Sequence, residues 1–481
     1  MGRNLLYIFA VALVFITLFS CEDDGYMSSP DAHLKFSTDT VAFDTIFTTI
    51  GSTTQRFSVR NPYEEPVLIS SIRLAGGEMS NFRLNINGVL DNELYDVEVP
   101  GHDSIYIFVE VTIDPTGQNL PMVVQDSIIF TTNTNLQKVK LVAYGQDFNL
   151  IKGETIGTTI WTADKPYLVY DYALVDSTAT LTIEPGTKIY FHKDAGLYVK
   201  GTVIADGTFE EPIQFLSDRL ETSYKNVPDQ WNTILLFSGS HDNVFNFVTI
   251  KNANIGLQVG TIEHEGYASV RLTNSKIENM AYAGLFALKS KIYGYNDVIA
   301  NCGFYAAALL VGGEYEFYHT TVANYWGNYG SKARSTSSLV LSNVLVVEGS
   351  DGSKTTFKGD LEKAIFGNSI VYGNIRNELE LGDNGEGAFN YLFDHCILQV
   401  PDTMKTSDKN HFNEVMKGID PQFVDPFDNY NYELDSLSAA IDAGSAEYAK
   451  RFPVDILNED RNADAGPDLG AYERVTKKDE E

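Results

Sequence analysis

Four sets of side chains in this sequence have types and spacing that could do chemistry. Tyr315, Tyr325, Trp326 and Tyr329 crowd two successive segments, with Phe317 and Tyr318 among them. Aromatic faces stack on sugar rings, so this group is a candidate surface for a chain-like carbohydrate; the alternative is that half of them are core. Glu263-His264-Glu265 offers oxygen and nitrogen ligands. In a strand, however, residues i and i+2 share a face and the middle one points away, so the triplet is expected on a loop and no metal site is expected. His192 follows Tyr190-Phe191 in alternation with Ile189, which places it at a surface or strand end rather than in catalysis. Near the C-terminus Asp420, Asp425, Asp442, Asp460, Asp464 and Asp468 could bind calcium through oxygen ligands, although Asp is equally a turn residue. No residue can be assigned as catalytic, and no cofactor other than that calcium is expected.

The elements that must position these groups are organised by a repeat. Ile250-Lys251-Asn252, Ile277-Glu278-Asn279, Ile299-Ala300-Asn301 and Val322-Ala323-Asn324 share one pattern, with gaps between asparagines of 27, 22 and 23 residues (279−252, 301−279, 324−301). After three of them a small residue leads into an apolar strand: Gly256-Leu257-Gln258-Val259, Gly284–Leu288 and Ala307–Val311. Short strands at a fixed period of this size, with no helical pattern, predict a solenoid of β coils. Stacked coils bring equivalent residues to about 4.8 Å. An amide can bond both neighbours at once, and Asn tolerates a left-handed corner. Asn252, Asn279, Asn301 and Asn324 are therefore expected to form a buried structural ladder.

This pattern resembles the right-handed parallel β-helix of the pectate-lyase-like superfamily, over roughly residues 151–400. The helix is expected over 151–417. It begins in coils such as Leu181–Thr187, Leu197–Thr202 and Pro212–Phe215, with Gly at the bends. Leu339–Glu348, Ala364–Gly373 and Tyr391–Val400 continue it as separate coils with a spacing near 24. The resemblance implies, for an enzyme, aspartates and an arginine on an outward face. The outward slot of the most regular strand reads Gln258, Phe286, Ala308, and none is acidic. A polygalacturonase-like set is not recognisable in the coils either.

Residues 34–147 alternate apolar and polar side chains in short runs separated by turn signals such as Asn61-Pro62, Gly76-Gly77 and Asp114-Pro115. Seven or eight strands of this kind predict a β-sandwich. Phe57–Asn61 with Glu65-Pro66-Val67 resembles the immunoglobulin-like modules of the ASPM/SPD-2/Hydin type, which implies a spacer or a binding stalk. The whole is thus expected to be all-β, a right-handed parallel β-helix preceded by an immunoglobulin-like β-sandwich. The tail, 418–475, carries Asp420–Pro426, Ala440–Gly444 and Asp468–Glu473. It resembles the choice-of-anchor Q segment, with Asn458 where that family usually has Gly, and is expected to cap the last coil.

The first residues belong to none of these. Arg3 and the apolar run Leu5–Phe19 are too short for the ~20 residues a spanning helix needs, and fit a signal peptide over 1–20. Leu18-Phe19-Ser20-Cys21 resembles a bacterial lipobox, which implies lipidation at Cys21; an ordinary secretory signal is the alternative. Glu22, Asp23 and Asp24 open a polar tether over 21–33 and resemble the signal that sends lipoproteins to the outer face of the outer membrane in one group of Gram-negative bacteria. The expected location is the outer membrane, lipid-anchored and exposed at the cell surface. Acyl chains at about 0.8 kcal/mol per buried CH₂ hold such an anchor without a spanning helix.

A net charge of −30 excludes nucleic acid as a partner, because phosphate binding needs a basic footprint. Cys302 and Cys396 are the other two cysteines. Counted at the repeat period they lie about four coils apart, too far for a disulfide, and both are expected buried and free. The functional expectation is a surface lipoprotein, with a partner in the membrane through its anchor and a polysaccharide or other extended ligand on the helix. A polysaccharide lyase or glycoside hydrolase, and a purely structural envelope component, are the alternatives.

Overall fold

In a computed structural model of the chain, residues 25–115, 122–262, 266–327 and 334–475 are described. Cys21, the signal peptide, Glu263-His264-Glu265 and Tyr329 lie outside them. Two compact units divide at Asp147/Phe148. Among the described residues no helix is long and apolar enough to cross a membrane.

The first unit is the sandwich. One sheet orders Lys35–Phe36, Gln55–Arg60, Ser104–Val111, Phe82–Ile86 and Val89–Leu90; the other orders Thr40–Phe47, Asn135–Gln146, Met122–Thr132, Val67–Leu74 and Glu93–Val99. Strand alternation sets which side chains meet: in Ser104–Val111, Ile105, Ile107, Val109 and Val111 are buried while Tyr106 is exposed. They pack with Phe57, Phe82, Phe130 and Leu141 into one core.

The second unit is the β-helix, a continuous 24-stranded sheet in which every pairing is parallel. Each coil contributes to three faces. The first face runs through Gly196–Val199, Ile234–Leu236, Ile255–Val259 and the first halves of Ala283–Tyr295 and Tyr305–Tyr318, then Leu339–Ser342 and Leu379–Gly382. The second face runs through Thr202–Asp206, Asn243–Asn246, Ser269–Thr273, the second halves of the same two long strands, and Leu361–Gly367. The third includes Val248–Lys251, Lys276–Met280, Val298–Cys302, Thr321–Asn324 and Ile370–Gly373. Inside, like residues stack coil upon coil. Phe317, Phe366, Phe393 and Phe412 lie ring on ring at centroid distances of 5.2, 5.1 and 5.8 Å.

The corner from third to first face carries the asparagines. Asn252, Asn279 and Asn301 have φ of 66°, 64° and 51°, the left-handed region that Asn tolerates. Asn279 Nδ2 donates to Asn252 Oδ1 at 2.6 Å, and Asn301 Nδ2 to Asn279 Oδ1 at 3.0 Å. Asn324 leaves the row: its amide bonds the backbone N–H and C=O of Cys302 instead. A second left-handed corner, between second and third faces, holds Asn274, Asn296, His319, Asn368 and His395. Asn296 Nδ2 donates to Asn274 Oδ1 at 2.9 Å, and Asn274 Nδ2 to Asn246 Oδ1 at 2.8 Å.

Two expectations are corrected. Val322 pairs directly with Val371, so 339–373 is one coil rather than two. The excess length is a hairpin, Val344–Glu348 with Lys354–Lys358, whose Leu345 and Phe357 cover Ala308 and Val340 on the outside of the first face. Cys302 and Cys396 are consequently three coil steps apart (299 to 322, 322 to 371, 371 to 398), still about 14 Å. Both are free and buried.

The tail, expected to cap the last coil, packs sideways against the third face. Phe423, Tyr432, Leu434, Ala440, Ile456, Leu469 and Ala471 cover Val298, Ala300, Ala323, Ile370 and Ile397, the outward side chains of the third face. The outer face of these coils is apolar and needs that cover, which is the physical reason the tail lies there. Its polar hold is the second corner. Arg461, wholly buried, bonds Asn296 Oδ1 at 3.0 Å and pairs with Glu473 at 3.2 Å. Ser445 bonds both ends of the Asn368 amide. Asn458 takes φ 68°.

Candidate functional site

The outer side of the second face is where polar and aromatic groups converge. Strand alternation sends Val270, Ile292 and Tyr315 inward and their neighbours outward. The pairing register then aligns two outward rows across successive coils. One reads Ser269, Lys291, Glu314; the other reads Arg271, Tyr293, Glu316. They line a groove of about 400 Å³, with Asp242 and Val244 at one end. A third row, Thr273, Tyr295 and Tyr318, borders it.

The tail completes the border. Its helix Ala446–Arg451 lies against this row, with Phe452 stacked on Tyr295 at 4.6 Å and Tyr448 at 5.2 Å from Tyr318. Gly367 allows that approach, since a Cβ there would stand 2.8 Å from the Tyr448 ring. Arg451 sits over the Tyr318 ring at 4.6 Å and reaches the Tyr293 hydroxyl at 3.3 Å.

Of the groove's three carboxylates, Asp242, Glu314 and Glu316, the two glutamates are engaged by lysines. Lys291 Nζ lies 2.6 Å from Glu314, and Lys363 Nζ 2.6 Å from Glu316 Oε1. The Tyr318 hydroxyl donates to Glu316 Oε2 at 2.7 Å. Partial burial pushes the Glu316 carboxyl up, but Lys363, Tyr318 and nearby Arg451 outweigh it and hold it below the usual carboxylate range. Burial, then the bond to Glu316, pushes the Tyr318 hydroxyl up to about 12. Near neutrality Glu316 is therefore held ionised and Tyr318 protonated.

The sequence-derived candidates fall elsewhere. Tyr315 is fully buried inside the helix, its hydroxyl donating to the Gly312 carbonyl at 2.7 Å, and cannot stack on a ligand. Tyr325 is packed under the tail, 4.9 Å from Phe427 and within 6.3 Å of Phe423 and Tyr432. Trp326 is half-buried at the following corner, its backbone N–H donating to Asn324 Oδ1. His192 is at the surface, bonded to Asp218 at 2.7 Å and stacked on Tyr170. Tail aspartates of the candidate set hold turns: Asp420 accepts the N–H of Gln422, Asp425 that of Asp428, Asp460 that of Asn462, and Asp468 those of Asp442 and Arg474. Among the described residues no group of three acidic, His or Cys side chains is placed to hold a metal. Arg271, Tyr293 and Glu316 were missed, although they recur at 22 and 23 residues (293−271, 316−293), the same period as the asparagines.

Fold and groove together define a parallel β-helix protein with a tyrosine- and arginine-lined outer face. No family model matches the chain, and no curated protein matches it. Among solved structures it is similar to the catalytic domain of Agl-KA, at 11% identity and TM-score 0.24, over 72% of this chain and 81% of that one. It is similar also to a family 123 glycoside hydrolase from Clostridium perfringens, at 8% identity and TM-score 0.17, over 23% of this chain and 25% of that one. A PapD-like domain of human CEP192 matches at 9% identity and TM-score 0.17, over 25% of this chain and 89% of that domain. Likenesses this slight carry no argument about activity.

Proposed function

We propose that this protein is a lipid-anchored surface protein whose β-helix binds an extended glycan without cleaving it. The observation that carries the reading is the groove on the second face. Tyr293 and Arg271 lie in it side by side with two carboxylates, each tied to a lysine at 2.6 Å. Planar aromatic and bidentate polar side chains along a stack of coils suit a chain of sugar hydroxyls and ring faces. The anchor at Cys21 and display on the outer membrane rest on the lipobox resemblance and the acidic tether.

A glycoside hydrolase is the second reading. Glu314 and Glu316 stand on one strand face two residues apart, about 6.7 Å along the backbone, and a pair of carboxyl groups is what such an enzyme needs. It needs one of the pair protonated, and Lys363 works against that at Glu316. A glycan array, with parallel assays for new reducing ends and for unsaturated lyase products, separates the two. Retention without product is expected, with loss of retention in Tyr293→Ala. Product formation that Glu316→Gln abolishes would replace the binding reading, and no retention on any glycan would overturn both.

A further inference from the structure

Resting on the proposed anchor at Cys21, we propose that one end of the sandwich is a membrane-facing surface, held against the lipid headgroups by a strap of residues 26–34. The polar stretch before the sandwich is pinned to it by three amides. Asn133, Asn135 and Gln137 stand two residues apart at the start of Asn135–Gln146 and so address one side. Asn133 Nδ2 donates to the carbonyls of Met27 and Ser29 at 3.1 and 2.7 Å. Asn135 Nδ2 donates to those of Pro30 and Ala32. Gln137 Nε2 donates to the Leu34 carbonyl at 3.0 Å, and its Oε1 accepts the Leu34 N–H at 2.9 Å. The strap begins where the Met27 N–H donates to the Pro66 carbonyl at 2.8 Å and the Tyr26 hydroxyl donates to Glu98 at 3.0 Å. Ala32 and Leu34 are buried, and Met27 packs on the sandwich core.

Covalent geometry then limits the reach. From Cys21 to Met27 is six residue steps (27−21), which span at most about 22 Å. Without the strap the first held residue would be Lys35, fourteen steps away (35−21), or about 50 Å. The pairing register shows which end is held. Val67 pairs with Val99 and Ile69 with Thr132, so Pro66, Glu98 and Asn133 share one end of the second sheet. Val67–Leu74 runs from there toward Met79 over seven steps (74−67), about 23 Å. At the held end Glu64, Glu65 and Glu98 are exposed, and Tyr26 is 43% exposed. Carboxylates do not leave water for hydrocarbon, whereas a ring with a polar tip suits the headgroup layer. The partner of this end is therefore the headgroup layer around the anchor and not the membrane interior.

The test places the lipidated full chain in vesicles of phosphatidylethanolamine and phosphatidylglycerol that carry nickel chelated on a lipid headgroup. A nitroxide is attached at Glu65→Cys or at Met79→Cys, and its relaxation by nickel falls steeply with distance. Relaxation at 65 should exceed that at 79 by about fivefold or more. Inserting ten Gly/Ser residues between Gly25 and Tyr26 leaves the strap intact and lengthens the reach to about 58 Å; the contrast should then fall below about twofold. Asn133→Ala with Asn135→Ala and Gln137→Ala should do the same. In soluble Cys21→Ala protein those three changes should also speed hydrogen exchange at Met27 and Leu34 by about tenfold or more. Equal relaxation at both labels, in protein that still floats with the vesicles, refutes the membrane-facing end and leaves the anchor standing. A contrast that survives the insertion refutes the strap as its cause. Protein that does not float with vesicles refutes the anchor and this surface with it.

Discussion

Asn279→Ala tests the corner ladder at its middle rung. Asn279 is 1% exposed and bonds a neighbour on each side, accepting from Asn301 and donating to Asn252. Alanine leaves Asn252 Oδ1 without its donor and Asn301 Nδ2 without its acceptor. Each orphaned buried group costs about 1–3 kcal/mol, or about 2–6 kcal/mol for the two. The backbone adds to this. At φ 64° an alanine has neither the local hydrogen bonding of Asn nor the freedom of Gly, and the left-handed conformation costs about 1–2 kcal/mol more. The sum is about 3–8 kcal/mol. Asn279→Gly removes the bonds but not the conformational freedom, so it should fall about 1–2 kcal/mol short of the alanine variant. Urea unfolding followed by far-ultraviolet circular dichroism reads both. The β-helix midpoint should move to lower urea in the order wild type, Gly, Ala, with the slope unchanged. If both variants unfold within about 0.5 kcal/mol of the parent, the ladder contributes nothing. If Gly is worse than Ala, the backbone part of the reasoning is wrong.

Further outcomes follow from the same structure. Cys21→Ala should release the protein from the membrane fraction and abolish incorporation of a fatty-acid analogue; a variant that still partitions with membranes and carries label refutes the anchor. Burial pushes the Cys302 and Cys396 thiols up to about 12, so in Cys21→Ala neither should alkylate at pH 8 until the protein is denatured, when both should. A crosslinked Cys302–Cys396 peptide would contradict the coil register. Arg461→Met removes the partner of a wholly buried Glu473 and should weaken tail docking by about 3–5 kcal/mol. Hydrogen exchange should then quicken over 418–475 while the interior coils 269–324 keep their protection; uniform protection in both regions would show that the pair does not hold the tail.

The sequence by itself determined what is periodic. Spacing of 22 to 27 residues between like triplets, alternation within short strands and glycine at bends specify stacked parallel coils, because each is a local consequence of strand geometry. Alternation likewise specified the sandwich. The asparagine corner was legible for the same reason, except at Asn324, which is not left-handed and turns its amide onto the backbone of Cys302. What covers an outward face is not local. Gln258, Phe286 and Ala308 stand on the most regular strand, whereas the groove lies one face further round, on the second halves of Ala283–Tyr295 and Tyr305–Tyr318. These two long strands turn a corner without a break, at Lys289 with φ 44° and at Val311 with φ 61°. One apolar-looking stretch therefore serves two faces, and its inward and outward positions restart at the bend; Tyr315 was misplaced for that reason. Arg451 could not be found from sequence at all. It stands 158 residues from Tyr293, and only the packing of the tail against the apolar outside of the third face brings the two together.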